Sequence, residues 1–193
     1  LFRLTLPNRA EYADRYGIRM LLLNSPYSLR FKPKLILDLL TEFDVVIQMG
    51  SDILFTNMGI SILSLIKPGM ALTMGPDPCA DFPVNGDFMI WQRSPLVEEL
   101  FKKIDTWQDE NATRFGSQDA IKHLLETGQA NGLDVLPSRV LQSFPHKSSI
   151  LEPVRENCFW EPGDFSIHFV GGDNVKKVID VLLFLHANMI LQN

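Results

Sequence analysis

The sequence predicts a single α/β domain, residues 1–193, with a mostly parallel central sheet flanked by helices. Three observations lead there. The length suits one domain with a sizeable core. Short apolar runs alternate with helix-length segments whose apolar residues recur every three or four positions. The run Val45-Val46-Ile47-Gln48-Met49 is nearly continuous in apolar character, as in a parallel strand covered on both faces. Asp52 falls just past the end of that run, where open α/β sheets place their ligands.

Taken in order, Phe2 to Leu6 alternates weakly and predicts a short strand. Pro7-Asn8 is a turn, Arg9 to about Tyr16 a helix closed by Gly17, and Ile18 to Leu23 a second strand, giving a β-α-β opening near the minimum crossover length. Asn24 to Arg30 is a loop. Pro33 suits the first turn of a helix with Leu35, Ile36, Leu39 and Leu40 on one face and Asp38 and Glu42 outside. After the organising strand come a short helix at Ile60–Ile66, the turn Pro68-Gly69 and a strand at Met70–Met74. The loop Gly75 to Pro83 is stiffened by Pro76, Pro78 and Pro83, and such loops often line a pocket.

Asp87 to Gln92 predicts a strand, and Ser94-Pro95 the cap and first position of a helix to about Trp107. A helix from Ser117 to Thr127 ends at Gly128, and Leu133 to Leu136 is a strand. Residues 138–162 read as irregular. Phe165 to Val170 is a last strand, and Asp173 caps a closing helix to about Met189.

A net charge of −5 argues against nucleic acid as the main partner, because phosphate binding favours a basic face, although a small basic pocket can hide within an acidic total. Cys79 and Cys158 have no metal-ligand spacing and read as plain thiols. No apolar run is long enough to span a membrane, since Val178 to Leu185 is interrupted by Asp180. If the chain is complete, a soluble cytoplasmic domain is expected. Asn111-Ala112-Thr113 fits a glycosylation acceptor, a triplet common by chance.

Three features converge on strand ends. Asp52 is a candidate metal or phosphate-site residue, with helix capping as the plainer explanation. In Asn85-Gly86-Asp87 the glycine lets backbone approach a ligand closely, as it also would in a simple turn. His168 lies in an aromatic strand before Gly171-Gly172. A lone strand histidine is ordinarily a satisfied core residue; beside an acidic strand end it becomes a ligand for a divalent ion.

The order of Asn8 to Gly17, Gly50-Ser51-Asp52-Ile53-Leu54-Phe55-Thr56-Asn57, Asn85-Gly86-Asp87-Phe88-Met89-Ile90, Ser117-Gln118-Asp119-Ala120 and Ile167-His168-Phe169-Val170-Gly171 resembles the Rossmann-like GT-A-fold glycosyltransferases. The nearest group is the galactosyl and xylosyl transferase family numbered 34. In that family the strand ends in Asp-X-Asp, whose last carboxylate and the histidine of the final strand bind manganese on the diphosphate of a nucleotide sugar. The resemblance therefore implies a UDP-sugar donor, a glycan or glycoprotein acceptor, Mn2+ or Mg2+ as cofactor, and Asp52 and His168 as its ligands. Gly50 stands where the family has its first Asp, which implies looser donor binding and less strict metal dependence.

The resemblance also assigns Gln118 and Asp119 to the donor sugar and acceptor, with helix capping as the other reading of Asp119. It gives Asp87 a role at sugar hydroxyls. Ser51 is placed at the ribose, Asn8, Arg9 and Tyr12 beside the base, and Asn85, Gly86 and Gly171 along the donor. Lys176 or Lys177 adds charge at the diphosphate, or is simply solvated, because the family's own lysine position is Asp173 here. Trp160 either stacks on an acceptor sugar or packs in the core. Retention at the anomeric carbon is implied, by front-face displacement; inversion with Asp119 as base is the alternative. The rivals are a nucleotide-sugar-binding module without turnover and a nucleotidyltransferase. The latter needs a glycine-rich phosphate loop after the first strand, which Leu6-Pro7-Asn8-Arg9 does not supply.

Overall fold

The computed structural model describes residues 1–22, 32–111, 115–145, 153–171 and 174–190. Among them the helices are α1 (Phe2–Tyr16), α2 (Lys32–Glu42), α3 (Val97–Glu110), α4 (Ser117–Glu126) and α5 (Asn174–Ile190). The strands are β1 (Val45–Met49), β2 (Ile53–Phe55), β3 (Leu72–Met74), β4 (Phe88–Gln92), β5 (Leu133–Val135) and β6 (Ser166–His168), with one 3-10 turn at Ile62–Leu65.

The main sheet has the order β1-β4-β3-β5, and β2 pairs with β6 in a separate two-stranded sheet. The expected α/β class with flanking helices is present, but the strand directions differ from expectation. β1 and β3 both pair antiparallel with β4, and β3 pairs parallel with β5. β1, β3 and β5 therefore share one direction, and β4 runs against them. A reversed strand inserted between two co-directional ones turns both adjacent pairings antiparallel, a long-range placement that no local pattern encodes. β1 is accordingly a half-buried edge strand and not the fully covered parallel strand its composition suggested.

β4 is covered on both faces, and its alternation shows how. Met89 and Trp91 join Leu72, Met74, Phe101, Ile104, Ile121 and the α2 residues Ile36 and Leu40 in a core under α2, α3 and α4. Phe88 and Ile90 point the other way, into a core with Tyr12, Ile53, Phe55, Ile62 and Phe165. Side chains alternate across a strand, so a run buried throughout needs a layer on each side. A third cluster, Leu54, Ile167, Phe169 and Val181, seats α5 over the small sheet.

The opening differs most from expectation. The predicted strand at Phe2–Leu6 is the first part of α1, which buries Thr5, Tyr12 and Ala13 along one stripe. Pro7 sits inside this helix and forfeits one intrahelical hydrogen bond, and packing of that stripe on β2 overrides the local preference. Gly17 closes α1 as expected, in the left-handed conformation with φ 63°. The strand expected from Ile18 is absent over the described residues 18–22. Ser94 is not the cap of α3: Leu96 holds that position, and the Ser94 hydroxyl is buried without a hydrogen-bond partner. The expected cap Asp173, the loop centred on Asn24–Arg30 and part of the Asn111 triplet lie outside the described residues. Cys79 and Cys158 are buried free thiols. Among the described residues no helix is long and apolar enough to cross a membrane.

Gly132, just before β5, has φ +79°, and a Cβ there would meet Leu96 Cδ1 at 2.9 Å and Leu96 Cβ at 3.0 Å. Its carbonyl accepts from Ala71 and Leu72 at 2.7 and 3.1 Å, so the backbone cannot swing aside. Gly132→Ala should therefore lower unfolding free energy by about 2 kcal/mol, read as a lower urea midpoint at unchanged slope.

Candidate functional site

The pairing of β2 with β6 assembles the centre of the site. Its register sets Ile53 opposite His168, and the Phe169 N–H donates to the Asp52 carbonyl at 2.9 Å. The His168 ring is fully buried beside the Asp52 side chain, with Nε2 3.4 Å from Asp52 Oδ1 and 3.7 Å from Asp87 Oδ2. On its other side Nδ1 lies 3.2 Å from Gln142 Oε1. With its proton on Nδ1 the ring donates to that oxygen and turns the Nε2 lone pair toward the two carboxylates; with the proton on Nε2 it faces them as a donor, the form that lowers Asp52. Nε2 has no hydrogen-bond partner. In the Nδ1-protonated form that nitrogen can bind a cation.

Asp52 is held from beneath. Burial opposes its ionisation, but His168 and the Lys177 ammonium, which donates to Oδ2, outweigh that and hold the carboxyl well below the usual carboxylate range. Arg9 donates to the Gly50 carbonyl and to the Ile53 carbonyl at 3.0 and 3.2 Å. Burial lowers its guanidinium to about 10, with Asp52 pulling the other way. The Thr5 hydroxyl donates to Ser51 O at 2.9 Å. Asn8 exchanges two 2.8 Å hydrogen bonds with the Phe55 backbone. Tyr12 donates to Ile60 O at 2.9 Å and accepts from Ile62 N at 2.7 Å, and burial pushes its phenol up to about 12. Of the residues expected beside the base, Asn8 and Arg9 bond the backbone from Gly50 to Phe55 that carries Asp52, and Tyr12 bonds the backbone at Ile60 and Ile62. Ser51 is exposed at the tip of the turn, Lys176 is half-buried, and Gly171 is exposed with φ 72°.

A second group lies beside this one. The Gly50 N–H donates to Asp87 O at 2.7 Å, so the end of β1 touches the start of β4. Gln118 Oε1 accepts from Gly86 N at 2.7 Å, and Gln48 Nε2 donates to Gly86 O at 3.3 Å. The buried Asp77 carboxylate accepts from Asn85 Nδ2 at 2.8 Å, from Cys79 N at 2.9 Å and from Gln118 Nε2 at 3.4 Å. Burial raises the Asp77 carboxyl despite those donors. Asp119, in the first turn of α4, accepts the Phe115 N–H on Oδ2 at 2.8 Å, one residue before the Gly116 cap.

Asp77 was not foreseen, although the proline-stiffened loop that carries it was. Gln142 had no signal at all, since a glutamine in an irregular segment is noticed only once a partner faces it. Trp160 donates to Thr56 Oγ1 at 3.0 Å and packs edge-on against Phe184, so it serves the core. A cleft of about 580 Å³ opens between Pro76, Leu125, Pro137 and Arg155, and none of Asp52, Asp87, Gln118 and His168 lines it.

As they stand, the described side chains form no closed cluster of three His, Cys, Asp or Glu around one point. The donor set nonetheless fits a divalent cation: an ionised carboxylate beside an unpartnered imidazole nitrogen whose second nitrogen is anchored.

No family model and no curated protein matches the chain. Solved structures do. A glycosyltransferase involved in the glycosylation of the major capsid of PBCV-1 superposes with a TM-score of 0.68 at 14% identity, over 94% of this chain and 92% of that one. Mouse xyloside xylosyltransferase 1 in its apo form superposes with a TM-score of 0.50 at 15% identity, over 86% of this chain and 72% of that one. The chain thus has the GT-A-like α/β fold that the order of its sequence pieces pointed to.

Proposed function

We propose that the chain is a glycosyltransferase that moves a hexose or pentose from a nucleotide-diphosphate sugar, with UDP as the expected nucleotide, to a hydroxyl of a glycan or glycoprotein acceptor. The observation that carries this reading is the meeting of Asp52 Oδ1 and the unpartnered His168 Nε2 at 3.4 Å at a strand end. The fold shared with two glycosyltransferase structures and the ordered pieces like those of family 34 support it.

Asp52 and His168 would hold Mn2+ or Mg2+, which, when bound, offsets the charge gathering on a departing diphosphate. Lys177 sets a positive charge on the same carboxylate and lies where it can pass to phosphate oxygens. Gln118 and Asn85, buried and braced by Asp77, hold the Gly86–Asp87 backbone in place at the edge of the donor site. The acceptor oxygen bonds to the anomeric carbon as the carbon to diphosphate-oxygen bond breaks on the same face, and its proton passes to the leaving phosphate oxygen. Retention follows from that geometry. In the inverting alternative the Asp119 carboxylate, oriented by the Phe115 N–H on Oδ2, would take the acceptor proton.

A nucleotide-sugar-binding module without turnover is the second reading, favoured by Lys177 already neutralising Asp52 and by the missing carboxylate at Gly50. A panel of UDP-sugars, each with and without Mn2+, separates the two. A true donor at a hundred times its dissociation constant should stabilise the fold by roughly 3 kcal/mol. With an acceptor, the transferred sugar should keep its anomeric configuration by proton NMR. Stabilisation with neither transfer nor donor hydrolysis would favour the binding module, and no response to any nucleotide sugar would overturn both.

A further inference from the structure

Gly50 and Asp87 are locked together by the 2.7 Å hydrogen bond from Gly50 N to Asp87 O. A Cβ built on Gly50 would lie 3.2 Å from Asp87 Cβ, 3.5 Å from Asp87 Cγ and 3.0 Å from Asp52 Oδ1. A side chain at position 50 would therefore grow into the space that the Asp87 carboxylate already fills. That carboxylate is half exposed, and Oδ2 stands 3.7 Å from the unpartnered Nε2 of the fully buried His168.

We propose that Asp87 supplies a third ligand, with Asp52 and His168, to a divalent-cation site, standing in for the side chain that Gly50 lacks. This rests on the reading of Asp52 and His168 given above. Oxygen ligands lie about 2.1 Å from a small octahedral cation, which sets neighbouring donor atoms roughly 3 Å apart and opposite ones roughly 4 Å apart. The separations of Nε2 from the two carboxylates, 3.4 and 3.7 Å, fall between these values. Asp52 meets the site through Oδ1 while Oδ2 holds Lys177. Among the described residues the hydrogen bonds of Asp87 run through its main chain, and a rotation of its half-exposed side chain closes the set. Two carboxylates, one imidazole and two phosphate oxygens then leave a sixth position for water, a hard-donor octahedron suited to Mn2+ or Mg2+.

The test is a titration with Mn2+, alone and with UDP, followed by the loss of the free-ion paramagnetic resonance signal. Folding of each variant is checked by circular dichroism. Asp87→Asn should weaken Mn2+ binding roughly tenfold or more, and Asp87→Glu, which keeps the charge, should weaken it less. The exchange Gly50→Asp with Asp87→Gly moves the carboxylate across the hydrogen-bonded pair and should recover much of the binding that Asp87→Gly loses. Wild-type affinity in Asp87→Asn, with binding lost in Asp52→Asn, would overturn the role of Asp87 and leave the wider reading intact. Unchanged affinity in both variants, or no binding by the wild type even with UDP, would overturn the cation site altogether. If the exchanged variant does not fold, the comparison of Asp87→Asn with Asp87→Glu decides.

Discussion

Asp52→Asn should reduce sugar transfer by at least about a hundredfold while the protein stays folded. Asparagine keeps the shape of the side chain but removes the charge, so the Lys177 ammonium loses its partner and the site loses the anionic oxygen beside His168. His168→Ala should cost a similar factor. The double variant should lose little more than either single one, because two ligands of one site fail as a unit. Initial rates at saturating and at limiting donor give the split: a loss confined to KM would mean that Asp52 only binds the donor, and full activity in either variant would refute the site. The depressed Asp52 carboxyl also bears on pH. Its ionised form survives in the folded protein well below the unfolded value of about 3.9, so any loss of activity between pH 5 and 7 must come from another group.

The largest stability effect is expected at Asp164. Its carboxylate accepts from Arg139 Nε and Arg139 NH2, from the Ser143 hydroxyl at 2.6 Å and from Glu161 N at 3.0 Å, and its carbonyl accepts from Thr56 Oγ1 at 2.6 Å. Its side chain is 9% exposed and that of Arg139 27%. Arg139 adopts φ 70°, a left-handed backbone conformation that costs a non-glycine residue of order 1 kcal/mol or more and persists here against the paired carboxylate. Asp164→Ala should remove roughly 3 kcal/mol of unfolding free energy, measured in urea. Burial raises the Asp164 carboxyl but the Arg139 and Ser143 hydrogen bonds outweigh it, so the folded value lies below the unfolded one. The sign follows: its contribution is complete above about pH 4 and is lost as pH falls through the folded value. The acid side of the wild-type melting profile should therefore be steeper than that of Asp164→Asn.

What could be read from the residues alone divides along the range of the interactions involved. The Gly17 cap, the buried face of α2 and the acidic end of the β1 run are local, and each was legible. The His168 strand was legible as a strand, and its meeting with Asp52 followed from family likeness, not from any spacing. α1 was misread because Phe2 to Leu6 carries too few residues to separate a period of two from one of 3.6, and only Thr5, Tyr12 and Ala13 packing together decide it. The direction of β4 was invisible because both of its partners lie far away in the chain. Asp77 escaped because its significance lies in three donors from three segments. Lys177 meets Asp52, and its position about a hundred degrees around α5 from Lys176 depends on how that helix is seated.

The reversed course of β4 has a practical outcome for tinkering with this protein. Because the finish of one strand abuts the outset of its neighbour, the spacing between Gly50 and Asp87 is set by one amide-to-carbonyl link and not by the length of polypeptide looping between them. The exposed turn at residues 68–69 within that excursion can be lengthened while the two positions stay in register. Inserting a single residue inside β4 would turn every following side chain of that strand to the opposite face.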